Sequence, residues 1–136
     1  MPRPEVRELV DRWLAYARDD LKAAEELKSS EIPARIACFH AQQATEKAMK
    51  AVFVLEQVDY PYTHDLVKLA EALPPGWNVR ASSADLADLS RWAVESRYPM
   101  LDEPGSEDSD RALATAHSVV EELARKIAPG AEEGNG

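Results

Sequence analysis

The chain holds one cysteine and three histidines in 136 residues. A lone thiol, Cys38, has no intrachain partner, which excludes an internal disulfide framework and fits a reducing cytoplasm. The histidines fall in three separate helical segments and no His-Glu-x-x-His run occurs, so no metal site and no cofactor is expected. No apolar run approaches the roughly 20 residues a membrane span needs, and the N-terminus is charged from Arg3 onward without an apolar leader core. A soluble, cytoplasmic protein with no membrane contact is therefore expected. Positive charge is also scarce: 16 Lys and Arg face 25 Asp and Glu, a net charge of −9. That balance argues against DNA and against nonspecific backbone binding, while leaving room for a small basic pocket.

What is present reads as helix throughout. A first segment from about Pro4 to Lys28 carries Val6, Leu9, Val10, Trp13, Leu14, Ala17, Leu21 and Ala24 at three-four spacing. Ser29, Ser30 and Pro33 break it, and Pro33 suits the first turn of the next helix. No Gly or Pro interrupts Ala34 to Gln57, so one long helix is the economical reading. Asp59 to Thr63 is a turn, with Thr63 the expected N-cap of a short helix ending near Leu73, where Pro74-Pro75-Gly76 stops it. Ser82 or Ser83 caps a fourth helix closing near Pro99. Leu101 to Asp110 reads as an acidic loop, and a fifth helix carries Leu113, Ala116, Val119, Val120, Leu123, Ala124 and Ile127. The expected fold is all-α, an up-and-down antiparallel bundle of about five helices over residues 1–128, with residues 129–136 a disordered tail.

The second helix is apolar over most of its circumference, which places it centrally. Yet His40, Gln43 and Lys47 share one stripe at about 100° per residue. Buried polar groups cost free energy unless partnered, and several in a line point to a dedicated site. Asp20 sits on the core stripe of the first helix, between Ala17 and Ala24. It is either a solvated carboxylate at the stripe's edge or a buried one needing a cation, with His40, Lys47 and Arg97 as candidates. Glu46 and Lys50 look like an ordinary i,i+4 ion pair, to which no chemistry is assigned. Arg97 and Tyr98 close the fourth helix; Arg97 either neutralises its last carbonyls or grips a phosphate.

The blocks Asp20-Leu21, Phe39-His40-Ala41-Gln42-Gln43-Ala44-Thr45-Glu46-Lys47-Ala48, Thr63-His64-Asp65-Leu66 and Arg97-Tyr98-Pro99 together closely resemble prokaryotic HEPN domains, over about residues 5 to 127. The resemblance implies a small helical bundle that dimerises. It also implies a protein commonly encoded beside a minimal nucleotidyltransferase, in pairs of the toxin–antitoxin kind, with a role in nucleotide binding. In that reading Asp20, Gln43, Lys47 and Tyr98 bind ligand and His40, His64 and Arg97 carry any catalysis. Many members are metal-independent ribonucleases sharing an Arg followed, after four to six residues, by a His. Here Asp102, Glu103 and Pro104 occupy those positions after Arg97, with no His. Arg35 with His40 and Arg111 with His117 match the spacing, but on unbroken helices their side chains diverge by about 120–140°. The alternatives are therefore a ribonuclease toxin, with an RNA substrate and His40 or His64 moving the proton, and a purely structural subunit.

Ile36, Val54, Trp77 and Trp92 add up to more apolar surface than one small bundle is expected to bury. A two-fold homodimer through the second and fourth helices is the expected remedy.

Overall fold

The structure, a computed structural model, describes residues 2–94, 99 and 103–128. Its helices are α1 (Pro4–Lys28), α2 (Ala34–Leu55), α3 (Leu66–Ala72), α4 (Ser83–Ser90, continued by a 3-10 turn over Arg91–Ala93) and α5 (Ser106–Ile127), and no strand occurs among the described residues. None of these helices is long and apolar enough to cross a membrane.

α2 is the axis of the bundle and packs against every other helix. Its alanines explain how. Ala37, Ala41, Ala44, Ala48 and Ala51 are at most 3% exposed and put almost no side chain between α2 and its neighbours, so the long helices α1 and α5 approach it closely. The volume between them is filled by Val10, Leu21, Met49, Val52, Phe53, Val119, Val120, Leu123 and Ile127. Each such side chain contributes about 1.5–3 kcal/mol relative to exposure.

Four local expectations change. Thr63 does not cap α3; Asp65 does, its carboxylate accepting from Val67 N and Lys68 N. Thr63 Oγ1 instead accepts from Asp65 N (3.0 Å), closing the turn just before the helix. The acidic loop is also shorter than its composition implies, because α5 begins at Ser106. Gly105 N donates to Asp108 Oδ2 (2.8 Å), and Glu107 and Asp108 favour the positive end of the helix dipole. Trp92 is only 1% exposed inside a single chain, so its burial needs no partner. Finally, α4 gives way to a 3-10 turn at Arg91; Arg97 and Tyr98 lie outside the described residues, as does the tail from Pro129.

Candidate functional site

Asp20 reaches α2 from α1 and is held by two donors. His40 Nδ1 lies 2.8 Å from Asp20 Oδ1, and Lys47 Nζ donates to Asp20 Oδ2. The carboxylate is thus shared between two residues that stand two turns apart on one stripe of α2. Its side chain is 14% exposed, while those of His40 and Lys47 are 31% and 25% exposed. The partner that a buried Asp20 requires is therefore supplied by two of the three candidates.

A second group repeats the pattern around Glu46. His64 Nδ1 lies 2.7 Å from Glu46 Oε1, and Lys50 Nζ donates to Oε2 (3.0 Å). Gln42, fully buried, donates from Nε2 to Glu46 Oε1 (3.1 Å) and to the His64 carbonyl (3.3 Å). Gln43 Nε2 donates in turn to Gln42 Oε1 (2.7 Å), tying the His40 stripe to the Glu46 group. Burial alone would push the Glu46 carboxyl upward. Hydrogen bonds from His64, Gln42 and Lys50, together with the Lys50 charge, outweigh it and hold the group below its ordinary value. An ionised Glu46 accepts only, so the proton between it and His64 sits on Nδ1.

The pair Glu46–Lys50 is therefore not an ordinary surface ion pair. Glu46 is 4% exposed and is the hub of a four-residue network. Lys50 is also seated against aromatic rings, 5.0 Å from the centre of Tyr60 and 6.0 Å from that of Trp13. Tyr60 meets Trp13 (6.3 Å), Phe53 (6.2 Å) and Tyr62 (6.4 Å) edge-on. These contacts fold the turn between α2 and α3 back over α2 and deliver His64 to Glu46.

The arrangement is thus two His–carboxylate–Lys groups, one bridging α1 to α2 and the other bridging α2 to the following turn. In each, one carboxylate oxygen takes the imidazole and the other takes the ammonium. Such groups orient a histidine for proton transfer or hydrogen bonding, and leave ammonium N–H groups for an anion. Of the two Arg–His pairs with the ribonuclease spacing, only His40 is in this site, and neither arginine joins it. Arg35 faces Glu103 (3.7 Å), and Arg111 faces Asp108 (2.6 Å) and Asp88 (3.9 Å). His117 lines a separate shallow groove of about 430 Å3 with Glu25, Lys28 and Asp110. Among the described residues, no group of three or more His, Cys, Asp or Glu could hold a metal ion. Cys38 is buried in the core, which pushes its thiol up to about 12 and makes it inert.

Comparison with solved structures gives the same bundle. The crystal structure of TT1696 from Thermus thermophilus superposes with a TM-score of 0.73 at 24% identity, over 86% of this chain and 97% of that one. The archaeal HEPN homologue ST0689 gives a TM-score of 0.64 at 23% identity, over 94% of this chain and 100% of its own. At these identities the likeness establishes the fold alone. No curated protein matches the chain by sequence. The HEPN domain family model does match, over residues 10–127, which takes in α2, both His–carboxylate–Lys groups and nearly the whole bundle: the chain belongs to the HEPN family.

Proposed function

We propose that this HEPN protein binds a nucleotide and serves as the partner subunit of a minimal nucleotidyltransferase, in a pair of the toxin–antitoxin kind. The supporting observation is the pairing of Asp20 with His40 and Lys47 beside the Glu46 group, connected through Gln42 and Gln43. Lys47 keeps ammonium N–H groups for a phosphate, and Arg97, which lies outside the described residues, is proposed to hold phosphate as well. His40 and Gln43, half-buried, supply hydrogen bonds to a sugar or base. The partnership rests on the family resemblance. An additional homodimer belongs to the same proposal, although Ile36, Val54 and Trp77, the residues the sequence offers to its interface, are half-buried within one chain.

Nucleotide binding predicts a higher melting temperature on adding ligand, because a ligand that prefers the native state stabilises it by about 2.7 kcal/mol at a hundredfold excess over Kd. Lys47→Ala should abolish the shift. No shift with any nucleotide at millimolar concentration would end this reading. Light scattering at micromolar concentration tests the dimer, and a monomeric mass would transfer weight to the heteromeric assembly.

One observation favours the ribonuclease alternative: two histidines each anchored through Nδ1 to a carboxylate. Either would move the proton in attack of a 2′-hydroxyl on the adjacent phosphodiester. Metal-free cleavage of RNA, lost in His40→Ala or in His64→Ala, is the result that would select it.

A further inference from the structure

We infer that Tyr62 is the surface on which the ligand's base stacks, a position that rests on the nucleotide-binding reading above. Tyr62 is 102% exposed, more than any other large apolar or aromatic side chain among the described residues. A ring left wholly in water on a loose loop would need no explanation. This one is fixed. Thr63 N donates to Pro61 O (2.9 Å), closing a three-residue turn with Tyr62 at its apex, and the Pro61 ring restricts φ just before it. Behind it, Tyr60 meets the Tyr62 ring edge-on at 6.4 Å and is itself packed against Phe53, Trp13 and the Lys50 ammonium. The turn is therefore buttressed on its inner side while its outermost ring carries a free face.

The chemistry beside Tyr62 identifies what that face takes. Two residues on, His64 is pinned through Nδ1 to the buried Glu46, and its side chain is 55% exposed. An aromatic face two residues from an anchored, half-exposed imidazole suits a planar ring that carries a phosphate or hydroxyl. A nucleobase on its ribose phosphate has that chemistry. A purely aliphatic partner would leave the oriented imidazole unused. Stacking tolerates every base, since each has a π-face, so Tyr62 contributes affinity without selecting among them.

The test compares a nucleoside monophosphate with ribose 5-phosphate, which lacks the base, on the full chain and its variants. In the unaltered protein the nucleotide should bind more tightly than ribose 5-phosphate. Tyr62→Ala should weaken nucleotide binding by roughly 5- to 150-fold, the range measured for base–aromatic stacking, and leave ribose 5-phosphate unchanged. Tyr62→Trp should restore or tighten nucleotide binding. Melting temperatures of the variants should match the parent, because the ring is fully exposed. Equal nucleotide affinity in Tyr62→Ala overturns the inference while nucleotide binding stands. If the unaltered protein binds no nucleotide, both readings fall together. A Tyr62→Ala chain that changes from dimer to monomer would also overturn it, assigning the ring to a subunit interface.

Discussion

The two His–carboxylate–Lys groups share a wiring diagram but not an environment. The Asp20 group joins two long helices, with its carboxylate 14% exposed and its histidine 31% exposed. The Glu46 group joins α2 to a turn, with its carboxylate 5% and its histidine 55% exposed. In the first the charge is reachable and the imidazole partly sheltered; in the second the charge is sealed and the imidazole presented. The same three residue types thus serve different ends. Glu46, with three donors on a buried carboxylate, is a structural keystone that also aims His64. Asp20, with two donors near solvent, keeps Lys47 and His40 aligned for a ligand at lower energetic stake.

Truncating each carboxylate is the sharpest way to break this distinction. Glu46→Ala leaves Gln42, Lys50 and the turn carrying His64 without their common acceptor, and should destabilise the fold by about 3–5 kcal/mol, as when one partner of a buried ion pair is removed. Urea unfolding measures it. Asp20→Ala should cost less, about 1–2 kcal/mol, because Lys47 and His40 can turn to water. If Asp20→Ala costs as much as Glu46→Ala, the two groups are energetically alike and the distinction fails.

Acidification probes the Glu46 group by itself. Glu46 titrates below its ordinary value of 4.5 in the folded chain, so the unfolded chain takes up this proton first as pH falls. The stability it contributes is complete above pH 4.5 and is lost as pH drops through the lower native value. Glu46→Gln should flatten that acid limb in a pH series of denaturation curves; an unchanged limb would assign it to other carboxylates. The smallest effect is expected at the link between the groups. Gln43→Ala removes one donor from the buried Gln42 oxygen, and should cost about 1 kcal/mol or less by thermal unfolding. A loss rivalling that of Glu46→Ala would show that the groups form one cooperative unit.

The sequence exposes Asp20 and hides Glu46 for a physical reason. Asp20 interrupts an apolar stripe, so periodicity alone flags a carboxylate facing the bundle and calls for a cation. Glu46 has Lys50 four residues on, which satisfies the local rule for a solvated pair and removes any reason to look further. Its burial comes from the turn folding back, and that depends on Tyr60 docking against Trp13 and Lys50, contacts that no single helix's periodicity contains. His64 is legible as a polar residue in a motif block, but its acceptor is not. The helices themselves were almost wholly legible, because three-four spacing and Pro breaks are local. The exceptions were decided by competition between neighbours. Asp65 outcompetes Thr63 as the cap of α3, and Asp108 closes a capping turn that recruits acidic residues into α5.

The seat of Lys50 has a consequence for how the molecule breathes. Its ammonium touches α2 through Glu46, α1 through Trp13 and the turn through Tyr60, so one cation fastens α1, α2 and the turn that follows α2. Lifting the turn would strip His64 from Glu46 and Tyr60 from Lys50 together, leaving a sealed carboxylate short of donors. A connection of this length normally opens on its own, frequently and without consequence to the helices it joins. Here that opening is taxed by the core, so residues 58–65 should lose amide protection in step with α1 and α2 rather than ahead of them.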